Sequence, residues 1–258
     1  MAEKHIMSAF DEDIEKIQST LMKMGGLVEK SLFDAASALV KSDIELASKV
    51  REHDQVIDSL EEEVNIQTVR LIALRSPAAT DLRYALSFIK VASNLERIGD
   101  YGKNMAKRSL VMEPSLITEQ GSNSLRRMTK DVISMMNNAL DAYVRKDVEL
   151  AEAVIIQDKD IDLHYNALFR EFLTFMMEDP KNITTCMHLH FIAKNIERVG
   201  DYVTSIAEQA IYVATGKVNV SQLNGLGKAM PFTFVAFLIG TCSVIGLPLF
   251  GGMWSKYY

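Results

Sequence analysis

The sequence predicts an all-α protein made of two tandem homologous three-helix bundles, followed by an apolar C-terminal helix. Three observations predict this fold class: a repeat of roughly 100 residues, apolar residues at helical spacing through residues 1–216, and a separate uncharged stretch near the C-terminus. The chain has 258 residues, 48% of them hydrophobic and 24% charged, so it can bury a core. Five prolines and an aromatic content of 8% fit helices better than a β-sandwich.

The repeat is visible as two pairs of matching segments. Asp43-Ile-Glu-Leu-Ala matches Asp147-Val-Glu-Leu-Ala, and Asn94-Leu-Glu-Arg-Ile-Gly-Asp-Tyr matches Asn195-Ile-Glu-Arg-Val-Gly-Asp-Tyr. A unit of this length has the size of a duplicated domain rather than of a solenoid repeat. We predict a first domain at residues 1–114, a second at 115–218, and a tail at 219–258.

Each unit is predicted to contain three long helices, because apolar residues recur every three or four positions, as in residues 86–105. Ser76 with Pro77, and Asp179 with Pro180, each resemble a cap residue followed by proline at the first helical position. Short connections make neighbouring helices antiparallel. The predicted helices cover residues 5–41, 43–75, 77–110, 120–146, 147–178 and 180–215.

The tail differs in kind from the repeat. Residues 231–253 form a run of twenty-three residues without a charge, which is long enough to cross a bilayer of roughly 30 Å. Lysines flank the run on both sides, so its orientation is not predicted. The alternative interpretation is an apolar helix of a soluble protein that docks on the bundles.

Charge and cysteine content exclude several classes of protein. Residues 1–216 carry 25 basic and 34 acidic side chains, which argues against a nucleic-acid-binding body. Two cysteines without a spacing pattern exclude a disulfide framework and a cysteine zinc site, and a reducing compartment fits this usage. The acidic N-terminal residues do not resemble a secretory signal.

The candidate site is a duplicated acidic motif. Glu96-Arg-Ile-Gly-Asp100 recurs as Glu197-Arg-Val-Gly-Asp201, and residues four apart on a helix share one face. Like charges so placed destabilise a helix by about 0.2–0.5 kcal/mol, and an internal glycine costs about 0.5–1 kcal/mol. A bound cation would explain the carboxylates, and close approach of a neighbouring helix would explain the glycines.

A second acidic pair lies on the preceding predicted helix of each unit: Asp54 with Asp58, and Asp158 with Asp162. If the helices are antiparallel neighbours, these carboxylates can converge with the duplicated motif. Asn94 and Asn195 could add a carbonyl ligand. Oxygen ligands suit hard cations such as Mg²⁺, Mn²⁺, Ca²⁺ or iron.

Other interpretations of these acids stay open. Helix surfaces are rich in acidic residues, and Arg97 and Arg198 can neutralise their neighbours through surface ion pairs worth about 0–1 kcal/mol. An enzyme is the rival class, either a carboxylate-bridged di-metal oxidase or a metal-dependent phosphohydrolase. The histidines lack the Glu-x-x-His spacing of di-iron bundles, and phosphate-binding glycine-rich loops are absent from the sequence.

Four segments closely resemble the PhoU family over roughly residues 5–218. The segments are Leu71-Ile-Ala-Leu-Arg-Ser-Pro-Ala-Ala-Thr-Asp-Leu-Arg, Leu95-Glu-Arg-Ile-Gly-Asp-Tyr, Phe175-Met-Met-Glu-Asp-Pro and Ile196-Glu-Arg-Val-Gly-Asp-Tyr. The resemblance implies two three-helix bundles and a cytoplasmic, usually oligomeric accessory regulator of the high-affinity phosphate ABC transporter. Proteins of this family act as negative regulators of the phosphate-starvation response, linking the transporter ATPase to a sensor histidine kinase.

The resemblance also implies metal ligands, because the family binds iron, zinc or similar ions through Glu/Asp-x-x-x-Asp motifs. Manganese or magnesium remain candidates from the oxygen-only ligand set. The residues that match the motif are Glu96, Asp100, Glu197, Asp201, Asp54, Asp58, Asp158 and Asp162. We therefore expect a metal-binding, non-enzymatic homodimer that does not bind nucleic acid.

The tail instead resembles a membrane helix of the proton-antiporter-like subunits of NADH dehydrogenases and Mrp antiporters. The resemblance rests on Met230-Pro-Phe-Thr, Ala236-Phe-Leu-Ile-Gly, Ile245-Gly-Leu-Pro and Phe250-Gly-Gly-Met-Trp-Ser-Lys. We interpret the tail as a fusion or gene-boundary product, with a membrane anchor through residues 231–253 as the alternative. A membrane-tethered scaffold is thus a third candidate function.

Overall fold

The computed structural model describes residues 2–112 and 119–216, with side chains for residues 9–112 and 121–216. The predicted all-α fold class is confirmed over these residues, whereas the apolar helix predicted in the tail lies outside them. A 3₁₀ turn, Pro180–Asn182, precedes the last helix. In chain order, the helices are α1 (Ala2–Lys41), α2 (Ile44–Arg75), α3 (Ala79–Ser109), α4 (Glu119–Arg145), α5 (Val148–Glu178) and α6 (Ile183–Thr215).

The helices pack as two three-helix bundles. Helices α1, α2 and α3 contact one another, and so do α4, α5 and α6. Contacts of α3 with α6 and of α1 with α4 join the bundles, so the described residues belong to one compact unit. The predicted boundary at residues 114 and 115 lies outside the described ranges. Helices α2, α3, α6 and α5 thus form a row in which each helix contacts the next.

The first repeated segment starts the second helix of each bundle. Oδ1 of Asp43 accepts a hydrogen bond from the backbone N–H of Leu46 (2.9 Å), and Oδ1 of Asp147 accepts one from Leu150 (3.0 Å). Each aspartate therefore satisfies an N–H group that has no partner within the first turn of a helix. The repeated Asp-x-Glu-Leu-Ala sequence is a helix cap in both units.

The connection between α2 and α3 differs from the prediction. Ser76 does not cap α3; it ends α2 in a left-handed conformation (φ 45°), and its N–H donates to the carbonyl oxygen of Ile72 (3.0 Å). Helix α3 begins at Ala79, two residues later than predicted. In the second unit Asp179 is a cap as predicted, but Pro180 opens the 3₁₀ turn rather than α6. Proline fits either kind of helix start because both use its fixed φ.

The interior is continuous between the bundles. Fully buried apolar side chains such as Phe88 and Leu95 on α3 and Val199 on α6 belong to one core. Polar groups cross the junction as well: the hydroxyls of Ser87 and Tyr143 share a hydrogen bond of 2.5 Å. Among the described helices, none combines the length and apolarity that a membrane span requires. Residues 231–253 lie outside the described part of the chain.

Candidate metal centres

The packing of α2 against α3 brings the four predicted residues of the first unit together, and we call them the first cluster (Asp54, Asp58, Glu96, Asp100). Burial, and then the charges of Asp100, Glu61 and Asp58, together raise the pKa of Glu96 to about 7, against the opposing effect of Arg97. Burial, and then the charges of Asp54 and Asp100, also raise the pKa of Asp58. The carboxylates are therefore close enough that their charges disfavour ionisation of Glu96 and Asp58.

One member of the first cluster is deeply buried. The Asp54 side chain is 2% exposed, and its Oδ2 forms an ion pair with Nζ of Lys103. The same Nζ lies 3.5 Å from Oδ1 of Asp100. Burial of a carboxylate is costly unless a cation compensates it, and here the lysine ammonium supplies the positive charge. The cluster thus already holds one cation of the protein's own.

The second unit repeats the arrangement between α5 and α6, and we call these residues the second cluster (Asp158, Asp162, Glu197, Asp201). Burial, and then the charges of Asp162, Asp201 and Glu197, together raise the pKa of Asp158 to about 6. All eight predicted residues therefore fall into two groups of four, each located between the second and third helix of a bundle.

Basic side chains also contact the clusters, as the surface-ion-pair interpretation requires. Nζ of Lys194 lies 2.6 Å from Oε2 of Glu197. The pairs of Arg97 with Glu96 and of Arg198 with Asp201 are longer, each at 3.6 Å, and both arginines are more than half exposed. Ion pairs this exposed are weakly stabilising, so the arginines offset only part of the repulsion.

The glycine of the motif lets the neighbouring helix approach. A Cβ built on Gly200 would lie 2.6 Å from Oδ1 of Asp158, closer than a real Cβ contact. A Cβ on Gly99 would lie 3.1 Å from Cδ1 of Ile57, the residue before Asp58 on α2. The glycines therefore make room for α5 and α2, and Gly200 makes room for a carboxylate of the candidate site.

The donor set tests whether the clusters fit a metal. Within residues 9–112 and 121–216, no group of three or more His, Cys, Asp or Glu side chains stands in an arrangement that could hold a metal ion. The ligands available are carboxylate oxygens, which suit hard cations. The Lys103 ammonium, which lies against two of these carboxylates, is a stand-in for such a cation. The residues thus fit a cation site in the chemistry of their oxygen donors, although they do not stand in a metal-binding arrangement.

The rest of the repeated motif serves the junction between the bundles. The rings of Tyr101 and Tyr202 meet with their centroids 5.9 Å apart, between α3 and α6. Nδ2 of Asn94 donates a hydrogen bond to Oγ of Ser205 (3.1 Å), so this amide also lies at the junction. The sequence shows that Tyr and Asn recur in the motif. Only the structure shows that Tyr101, Tyr202 and Asn94 contact residues across the junction of α3 and α6. Lys103 was missed as well, although its spacing from Asp100 is a signal for a helical ion pair.

Comparison with known protein families gives two matches. The PhoU domain matches residues 21–109 and 125–210, which together cover most of both bundles. A second match, to the membrane segment of the NADH:quinone oxidoreductase/Mrp antiporter family, covers residues 201–258. The matched families are those that the repeat motif and the tail resemble.

Individual relatives extend over nearly all of the two bundles. The chain is similar to the phosphate-specific transport system accessory protein PhoU homolog of Rhizobium meliloti, with 44% identity over 216 residues (84% of this chain and 91% of the relative). The homologue of the same name from Caulobacter vibrioides is 39% identical over 219 residues, which is 85% of this chain and 95% of the relative.

Solved structures show the same fold. The crystal structure of PhoU from Pseudomonas aeruginosa matches with a TM-score of 0.76 at 38% identity, covering 81% of this chain and 100% of that one. The phosphate transport system regulatory protein PhoU from Streptococcus pneumoniae matches with a TM-score of 0.75 at 29% identity, covering 81% and 98%.

Proposed function

The chain belongs to the PhoU family, and we propose that it is a negative regulator of phosphate uptake and of the phosphate-starvation response. Its relatives are named as accessory proteins of the phosphate-specific transport system, which supports a regulatory role in phosphate transport. In this proposal the protein is a non-enzymatic adaptor between the transporter ATPase and a sensor histidine kinase. It acts in the cytoplasm as a homodimer.

The observation that carries the proposal is the duplicated carboxylate cluster. Each cluster joins two helices of a bundle. In the row α2, α3, α6, α5, the first cluster lies between α2 and α3 and the second between α6 and α5. Burial, and then the charges of neighbouring carboxylates, raise the pKa of Glu96 in one cluster and of Asp158 in the other, and a cation would offset both the cost of burial and the repulsion. Relief of this repulsion would hold α2 on α3 and α5 on α6.

The metal ligands in this proposal are the carboxylates of Asp54, Asp58, Glu96 and Asp100 in the first cluster, and of Asp158, Asp162, Glu197 and Asp201 in the second. Iron, zinc, manganese and magnesium are the candidate ions, and oxygen-only ligands favour the harder ones. A bound ion supplies positive charge rather than reaction chemistry. The protein's residues make room for it: Gly200 leaves space for Asp158, and Glu96 is partly buried beside its neighbours.

Metal analysis of the full chain, purified without chelator, tests the binding. We expect bound metal in the unchanged protein, a partial loss in Glu96→Gln/Asp100→Asn, and a further loss when Glu197→Gln/Asp201→Asn is added. The matched control is Glu152→Gln, which removes an exposed carboxylate of α5 outside both clusters. Equal metal content in all variants, or none in the unchanged protein, would count against the site.

The partner proposal is tested by co-purification. We expect the full chain to retain the transporter ATPase and the kinase, and the 1–218 segment to retain them too. This segment is a fair test because solved PhoU chains are matched over their whole length, or nearly so, by 81% of this chain. Fractionation of cells that express either the full chain or the 1–218 segment tests the membrane contact through residues 231–253. An anchor would place the full chain, but not the 1–218 segment, in the membrane fraction.

Enzyme activity is the alternative that must be tested directly. Assays for phosphatase activity with added Mn²⁺ are expected to show no turnover above that of the Asp100→Asn variant. Steady turnover that Asp100→Asn abolishes would replace the adaptor proposal with a metal-dependent phosphohydrolase.

A further inference from the structure

The two clusters are homologous, but their own cations lie in different places. In the first cluster Nζ of Lys103 reaches Oδ2 of the buried Asp54 and lies 3.5 Å from Oδ1 of Asp100. The Lys103 side chain is itself 40% exposed. The lysine therefore extends inward from the surface, and its ammonium takes a position between two of the proposed ligands.

The corresponding position in the second unit holds no lysine. By the repeat alignment, Thr204 matches Lys103, and its Oγ1 donates a hydrogen bond to the carbonyl oxygen of Asp201 in its own helix (2.7 Å). Lys194, the lysine of the second cluster, contacts Glu197 instead. In the described part of the chain, Asp158, which matches Asp54, forms no ion pair with a basic side chain.

We propose that Lys103 is an internal competitor for metal ions at the first cluster, so that a cation binds there only by displacing the lysine ammonium from Asp54. The second cluster has no such competitor at Asp158. This inference rests on the proposed metal binding. It adds that the two clusters differ in their affinity for metal ions, although the sequence repeat suggests that they are equivalent.

Physical reasons support a competition rather than a permanent pairing. A divalent ion brings twice the charge of an ammonium to the same carboxylates, so it can outcompete the lysine at sufficient concentration. The displaced ammonium has a route to water, because the Lys103 stem is partly exposed. Loading of the first cluster would therefore require a higher metal concentration than it would without Lys103, and it would release the lysine to solvent.

Calorimetric titration with Mn²⁺ on the metal-free full chain tests the inference in two backgrounds. The Asp158→Asn/Asp201→Asn background leaves the first cluster intact, and there Lys103→Met is expected to tighten Mn²⁺ binding by about tenfold, because a unit positive charge near the ligands is removed. The Glu96→Gln/Asp100→Asn background leaves the second cluster intact, and there Lys103→Met is expected to have no effect.

Two further variants control for the general effect of removing a positive charge and for a loss of folding. Lys107→Met removes an exposed lysine one turn further along α3 and is expected to leave both affinities unchanged. Thr204→Lys places a lysine in the second cluster and is expected to weaken its Mn²⁺ binding by about tenfold. Since Thr204 is only partly buried, this change is unlike a core substitution and leaves the bundle folded.

The outcomes separate the inference from the proposed function. Binding at both clusters with no response to Lys103→Met and Thr204→Lys overturns the competition and leaves the metal sites standing. Absence of Mn²⁺ binding in every variant overturns both. If Lys107→Met tightens Mn²⁺ binding at the first cluster as much as Lys103→Met does, the effect is one of general charge. That result also overturns the proposed competition by Lys103.

Discussion

Replacing Glu96 by glutamine should change how stability depends on pH. Burial and neighbouring carboxylates raise the pKa of Glu96 from 4.5 to about 7. A carboxyl with a raised pKa binds its proton more tightly in the folded state, so its stabilising contribution is complete below the unfolded pKa and is lost as pH rises through the folded one. The perturbation removes this titration while keeping the shape of the side chain.

The magnitude follows from the size of the pKa change. The change corresponds to an upper limit of about 3 kcal/mol, and a side chain that is 20% exposed experiences solvent screening that lowers this to about 1–2 kcal/mol. Part of the loss occurs below pH 5.5. Between pH 5.5 and pH 8 the unchanged protein should therefore lose about 1 kcal/mol more than Glu96→Gln does.

The assay is urea unfolding of the metal-free protein in chelator, at several values between pH 5.5 and pH 8. Other titrating groups, including Asp158, are present in both proteins and cancel in the difference. Glu152→Gln serves as the control, because it removes a carboxylate at an exposed position of α5. If the stability curves of Glu96→Gln and the unchanged protein run parallel over this range, the electrostatic account of the first cluster is wrong.

Four further outcomes are expected. Asp147→Ala should lower the free energy of unfolding by about 1 kcal/mol, measured in urea, because α5 loses its N-cap. Gly26→Ala, with nothing within 4 Å of its new Cβ, should raise stability by about 0.5–1 kcal/mol, whereas Gly200→Ala should displace Asp158 and weaken Mn²⁺ binding in calorimetry. Tyr143→Phe should cost about 1 kcal/mol in the same unfolding assay, because the substitution removes the buried hydroxyl that shares a hydrogen bond with Ser87.

Local signals in the sequence predicted the helices well where apolar residues recur at helical spacing over a long segment. The capping aspartates, Asp43 and Asp147, lie at the predicted helix starts because side-chain capping is a property of a few consecutive residues. Ser76 was predicted wrongly for the same reason. A serine before proline fits a helix start, but the carbonyl of Ile72 offered its N–H a partner that ends the preceding helix.

The candidate site was predictable only in part. The in-register repeat placed four acids in each unit, and antiparallel packing of adjacent helices was enough to bring each set of four together. The partner that decides the charge balance of the first cluster comes from a tertiary contact, because Lys103 on α3 reaches Asp54 on α2. In the second cluster, Lys194 pairs with Glu197 three residues along its own helix. A repeat alignment shows that residues 103 and 204 differ, but it does not show that residue 103 faces the cluster.

Anomalous X-ray scattering at the manganese edge, from crystals of the full chain grown with Mn²⁺, tests the central claim most directly. We predict one peak between α2 and α3 beside the first cluster and one between α5 and α6 beside the second. Peaks found only at other places on the protein, or none at all, would contradict the view that the duplicated carboxylates are cation sites.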